Sequence, residues 1–282
     1  MTLVMGAVAY DPKVVTIWGG FRSWLHDQDF DFDFVLYSHY ERQVEDLVAG
    51  RIDAAWNSPL AWVRAERLAR SAGRELTPLV MRDTDQDLTS VVVVRSDSPH
   101  KDVADLKGET IGVGAVDSPQ ATLIPCAHLR AAGLRPESDV RIRRFDVGVG
   151  LHGDHVGGER DAARALIAGE VAAACMIDGN HLMFGQEGTL PAGSTRVIAR
   201  TSAYDHCNMT IGAARQADVD RFGDLLLSMS YADPRVRPLF DLEGLTAWRP
   251  GRTSGYAALR EAVDQVGFYD AEGAVTAGEY SP

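Results

Sequence analysis

One motif occurs twice, and it constrains the fold more than any other feature. Val44–Trp56 reads VEDLVAGRIDAAW, and Ala163–Cys175 reads ARALIAGEVAAAC. Each is a helical run stopped at Ala-Gly and followed by a short apolar run carrying paired alanines. Glycine just past the last turn ends a helix because it enters the left-handed region without steric cost. A short apolar run bounded by such a stop suits a buried strand. Two copies of one helix–strand unit point to two lobes built on a common αβ plan.

The rest of the chain keeps the alternation. Strands are expected at Leu3–Ala9, Phe30–Tyr37 and Arg51–Trp56, with helices at Val14–Leu25 and Tyr40–Val48 between them. Ser58-Pro59 opens the next helix, serine as cap and proline at the first helical position. Thr89–Arg95 (TSVVVVR) is the most strand-like segment, and after it the pattern restarts. Alternation of this kind implies a mostly parallel sheet covered on both faces. In open α/β sheets ligands lie beyond the carboxyl ends of the strands. That rule aims Tyr10 and Asp11, then Trp56, Asn57 and Ser58, at a site from one lobe, and Asp178 from the other.

Composition excludes several functions. The formal net charge of −12 argues against a nucleic-acid backbone or an anionic membrane surface as partner, since both need clustered Lys and Arg. No run of about 18 apolar residues is present, so no membrane insertion is expected. The three cysteines, Cys126, Cys175 and Cys207, are odd in number and far apart, which is no disulfide framework. Met1–Ala9 (MTLVMGAVA) lacks the basic start of a secretory signal, so the expectation is a cytoplasmic protein, or a periplasmic or extracellular one if a leader was removed.

Two segments hold residues with chemistry. Leu151–Arg160 (LHGDHVGGER) gathers His152, Asp154, His155 and Glu159 in a Gly-rich stretch. Imidazole and carboxylate at such spacing suit a divalent metal or acid–base work, or simply a polar loop capping the next helix. Tyr204–Asn208 (YDHCN) places His206 beside Cys207. Neighbours on an extended chain face opposite ways, so these two are not expected to touch, and Cys207 then packs as a small apolar residue. Asp83, Asp85 and Asp87 alternate before the apolar strand but lack the glycine and glutamate of a calcium loop, so a solvated turn is expected.

Four segments carry a family resemblance. Val44–Ala65, Thr89–Gly114, Asp117–Leu134 (DSPQATLIPCAHLRAAGL) and Gly157–Asp178 resemble the phosphate/phosphite/phosphonate substrate-binding proteins of ABC transporters. The resemblance implies a two-lobed periplasmic-binding-protein type II fold, with a mixed, mostly parallel sheet in each lobe. It implies a discontinuous first lobe, residues 1–95 and 204–282, a second lobe at 96–203, and a small-molecule ligand in the cleft between them. An ABC permease is the implied partner if the chain is exported. The ligand-binding set is then Tyr10, Asp11, Trp56, Asn57 and Ser58, with Ser118, Gln120, His155, Asp178 and His206.

The helix start at Ser118 departs from the family pattern. The family offers several small hydroxyl residues there, and helix-start N–H groups hold the phosphonate oxygens. Here Pro119 follows Ser118 and has no N–H to donate. The alternative function is a cytoplasmic enzyme reusing this fold, with His155, Glu159, His206 and Cys207 as catalytic candidates. No cofactor is required by either reading. A divalent transition metal remains open, with His152, His155, Glu159 and His206 as its candidate ligands.

Overall fold

The computed structural model describes residues 2–154 and 156–281. In chain order the elements are β1 (Leu3–Val8), α1 (Lys13–Asp27), β2 (Phe32–Tyr37), α2 (Tyr40–Val48), β3 (Ala54–Asn57), α3 (Pro59–Ser71) and β4 (Thr77–Arg82). Then come β5 (Ser90–Arg95), β6 (Thr110–Val113), α4 (Ile124–Ala131), β7 (Arg141–Arg144), α5 (Glu159–Ile167), β8 (Ala173–Ile177), α6 (Asp178–Gln186) and β9 (Thr195–Arg200). The chain closes with β10 (Asn208–Ile211), α7 (Gln216–Ser228), α8 (Arg237–Glu243), β11 (Trp248–Pro250) and α9 (Ala257–Val266).

These elements form two compact units, one of residues 1–87, 205–256 and 269–276, the other of 88–204, 257–268 and 277–282. The first unit holds a six-stranded sheet ordered β11-β4-β10-β3-β1-β2, and the second a five-stranded sheet ordered β7-β6-β8-β5-β9. β1 pairs in parallel with β2 and β3, and β6 pairs in parallel with β7 and β8. One strand next to each parallel group is reversed: β10 beside β3, and β5 beside β8. Since β4 is antiparallel to β10 and β9 to β5, four of six and four of five strands run one way. Both sheets are therefore mixed and mostly parallel in direction, on one shared plan.

The repeated motif explains the shared plan. Gly50 and Gly169 take φ +73° and +74°, so both helix stops use the left-handed glycine the sequence required. α2 then delivers β3 beside β1, and α5 delivers β8 beside β6. The paired alanines are sealed on opposite faces of each sheet, Ala54 and Ala55 in one unit, Ala173 and Ala174 in the other.

Two boundaries differ from the sequence expectation. β5 was expected to close the first lobe at residue 95, yet its valines pair with β8 and β9, so the first crossing falls between residues 87 and 88. All four valines, Val91 to Val94, are fully buried, as a central strand covered on both faces requires. The chain returns at residue 205 and then crosses three more times, because α9 packs on α4 in the second unit.

The first unit's core is aromatic. Trp18, Phe21, Trp56, Phe240 and Trp248 stack edge-on or tilted, with centroids 5.3 to 6.5 Å apart. The second unit's core is aliphatic, on one sheet face Val92, Val94, Leu106, Ile111 and Leu129 and on the other Val91, Val93, Leu166 and Met176.

Candidate functional site

The sequence-expected residues fall into two clusters, one in each unit. In the first unit, Tyr10 and Asp11 follow β1, while Trp56 and Asn57 end β3 and Ser58 follows it, so the parallel register of these strands brings them to one edge. There, however, several are committed to the fold. The Asp11 carboxylate accepts from the Lys13 amide at 2.7 Å. Ser58 caps α3, its hydroxyl accepting from the Ala61 amide at 3.1 Å. Trp56 is buried, packed edge-on to Trp18 and Trp248, and the cation over its ring is the chain's own Arg82, 5.4 Å from the centroid.

Asn57 belongs to a buried polar relay. Gln43 donates to its Oδ1 at 2.9 Å, and its Nδ2 donates to Thr210 at 2.8 Å. Thr210 donates to Asn208 at 2.6 Å, Asn208 to the Tyr256 hydroxyl at 2.9 Å, and Tyr256 to the His206 carbonyl at 2.9 Å. Buried networks of this kind rigidify what they end on. Here they end on His206. Its amide in turn donates to the Asp85 carbonyl at 2.7 Å.

Around His206 the structure corrects two expectations. Asp85 is not in a solvated turn: it is 1% exposed and accepts both arms of Arg82, at 2.6 and 2.7 Å. Arg82 also reaches Glu243 at 3.2 Å. Burial alone would raise the Asp85 carboxyl, but Arg82 and His206 bring it down to about 2. Nor do His206 and Cys207 face apart. Nδ1 of His206 lies 3.1 Å from Cys207 Sγ and 3.5 Å from Asp85 Oδ1. The stretch before β10 is not regular strand, so the alternation rule does not hold there. The sequence signal missed was Arg82 three residues before Asp85, a spacing that lets one side chain fold onto the other.

This trio is not a nucleophile triad. A base in such a triad contacts the nucleophile with one ring nitrogen and the carboxylate with the other. Here both partners meet Nδ1, so the geometry does not support the enzyme alternative.

In the second unit the cluster is the helix start at Ser118. Pro119–Leu123 forms a π-helical turn leading into α4. The Ser118 hydroxyl accepts from Ala121 at 3.2 Å, and its carbonyl from Thr122 and Leu123 at 3.1 and 3.0 Å. Pro119 lacks an N–H, and the Ala121, Thr122 and Leu123 amides are spent within the turn. The Gly-rich stretch also lies directly on this start. Gln120 donates to the Gly153 carbonyl at 2.9 Å, and Asp117 accepts the Gly150 and His152 amides at 2.7 and 3.0 Å. Gly153 sits at φ +79°, and a Cβ there would come within 2.5 Å of Ser118 Oγ and 2.6 Å of Gln120 Nε2.

The expected metal set is not gathered. His152 is sealed, its Nε2 3.3 Å from the Tyr280 hydroxyl. Glu159 accepts from the Ile177 amide and Asn180 Nδ2, both at 2.9 Å, and so ties α5 to the start of α6. Asp178 is half exposed and pairs with Arg200 at 2.6 Å. His155 lies outside the described residues. Among the described residues the only group of three or more metal-ligating side chains is Asp85, His206 and Cys207.

Asp117 yields a first prediction. Burial raises its carboxyl above the ordinary 3.8, outweighing His152 and the loop amides. A raised carboxyl contributes stability fully present below about pH 3.8 and lost as pH rises through the folded value. Asp117→Asn keeps an acceptor for the loop and removes that loss. Denaturant midpoints of the two proteins between pH 4 and 7 should show the variant gaining on the parent as pH rises; parallel curves would contradict this.

The family described as ABC transporter, phosphonate, periplasmic substrate-binding protein matches residues 6–256. The chain belongs to this family. It is accordingly a small-molecule-binding protein of the phosphonate-binding type. Solved structures agree on the fold. PhnD1 of Prochlorococcus marinus, in complex with methylphosphonate, superposes with a TM-score of 0.71 at 15% identity, covering 94% of this chain and 98% of that one. XAC2383 of Xanthomonas citri, bound to ATP, gives 0.70 at 17%, covering 94% and 99%. The sulphonate-binding SsuA of Escherichia coli gives 0.56 at 18%, covering 94% and 86%. No curated protein matches in sequence. The family is periplasmic by description, which gives the cytoplasmic expectation no support. Among the described residues no helix is long and apolar enough to cross a membrane.

Proposed function

We propose that this phosphonate-type binding protein captures a small polar or anionic molecule other than a bare tetrahedral phosphonate, and delivers it to an ABC permease at the periplasmic face. The observation that carries the ligand reading is the Ser118 helix start. Pro119 has no N–H, the Ala121, Thr122 and Leu123 amides are used within the turn, and Gly153, held by the Gln120 side chain, lies over it. A free phosphonate would have to displace those bonds before gaining its own, and each buried donor left unmatched costs about 1–3 kcal/mol. The fold alone leaves the ligand open. Proteins of similar fold have been solved with methylphosphonate and with ATP.

Isothermal titration tests the proposal. Methylphosphonate and inorganic phosphate should bind with Kd weaker than about 100 μM. A sub-micromolar Kd, at least 2.7 kcal/mol more favourable, would overturn it. The transport reading is tested separately, by whether the purified chain stimulates the ATPase of its own permease in liposomes.

A further inference from the structure

The Asp85–His206–Cys207 group is unused by that function, yet it has the makings of a site. We propose that Asp85 Oδ1, His206 Nδ1 and Cys207 Sγ bind a divalent transition metal ion, zinc by preference, leaving its fourth position open. Tetrahedral zinc, with bonds of about 2.3 Å to sulfur and about 2.0–2.1 Å to nitrogen and oxygen, sets S···N near 3.5 Å and N···O near 3.3 Å. The structure has 3.1 and 3.5 Å, and all three ligand atoms lie within 4.8 Å of one another. The two distances from Nδ1 are thus within a few tenths of an ångström of the tetrahedral values.

Chemistry narrows the ion. A thiolate with an imidazole selects zinc, copper or iron over magnesium or calcium. Asp85 Oδ1 takes Arg82 at 2.7 Å and also faces His206 Nδ1 at 3.5 Å, across the space the ion would occupy. Carboxylates shared between a metal and a second partner are the usual outer-shell arrangement.

The ligands are also preorganised. The backbone carrying two of the ligands is fixed from three sides. The His206 amide donates to the Asp85 carbonyl, and the His206 carbonyl accepts from Tyr256. Asp205 is clamped by Arg252 at 2.6 and 2.7 Å. Gly255 packs so closely on the Asp205 carboxylate that any side chain there would displace it. Ligands held by neighbours in this way lose little entropy on binding an ion. Three protein ligands with an open fourth position is the form of zinc sites that take a water or an exogenous ligand. The His206 side chain, 12% exposed, leaves a route in.

Cobalt(II) is the probe. Titrated into the metal-stripped full chain, it should give a thiolate-to-cobalt charge-transfer band saturating at one equivalent and abolished by zinc. The band should vanish in Cys207→Ser and persist when Cys126 and Cys175 are both replaced by alanine. His206→Gln, nearer the surface, should weaken cobalt binding more than about 10-fold, the least that even outer-shell changes cost. No band in the native chain, or a band that survives Cys207→Ser, overturns the proposal. Should Cys207→Ser fail to fold, undiminished cobalt binding by His206→Gln overturns it equally.

Discussion

Asp85→Ala should destabilise the protein by about 3–5 kcal/mol, measured by urea unfolding with chelator present. Removing one partner of a buried ion pair leaves the other charge without compensation. The effect is expected to be large because Asp85 takes both arms of Arg82 and is almost completely sealed. Arg82→Met should cost at least as much, since the same guanidinium also serves Glu243 and lies over the ring of Trp56. An exposed pair is the natural control. Arg95 and Asp97 are joined at 2.7 Å on the surface, and Asp97→Ala should leave stability almost unchanged. Equal losses at the two aspartates would refute the assignment of Asp85 to a buried pair.

The second large effect is expected at Gly158, which precedes α5 at φ +86°. An added Cβ would sit on the Phe145 carbonyl oxygen, a backbone atom that cannot step aside. The left-handed conformation costs a residue with a Cβ about 1–2 kcal/mol, and overpacking adds about 1–3. Gly158→Ala should therefore lose about 2–5 kcal/mol. Gly179 inside α6 meets nothing within 4 Å, so Gly179→Ala should gain up to about 1 kcal/mol. Paired unfolding curves decide, and a neutral Gly158→Ala would show the loop is free to move away.

The sequence exposed those features that local rules govern. The stops at Gly50 and Gly169, the Ser58 cap and the apolar run at Val91–Val94 were legible because each depends on its near neighbours. What it hid depends on distant ones. β5 reads as a strand anywhere, and only its partners β8 and β9 assign it to the second sheet. Asp85 reads as a surface acid until β4, α8 and Tyr256 close around it. Ser118 reads as a helix cap in either case, and nothing local announces that a stretch thirty-odd residues downstream will lie on it. Asn57 sits at the strand end as the open-sheet rule requires, but its amide is spent on Gln43 and Thr210.

The interleaved strand order has a practical consequence. Consider a break in the exposed turn near residue 137, between α4 and β7. Reading across the first sheet, β11 and β10 would come from the later piece and β4, β3, β1 and β2 from the earlier; in the second, β7, β8 and β9 from the later and β6 and β5 from the earlier. Neither piece would own a complete sheet, and in each sheet strands of one piece slot between strands of the other. The two halves should be inert apart and assemble only together, which makes residue 137 a natural split point for a complementation reporter.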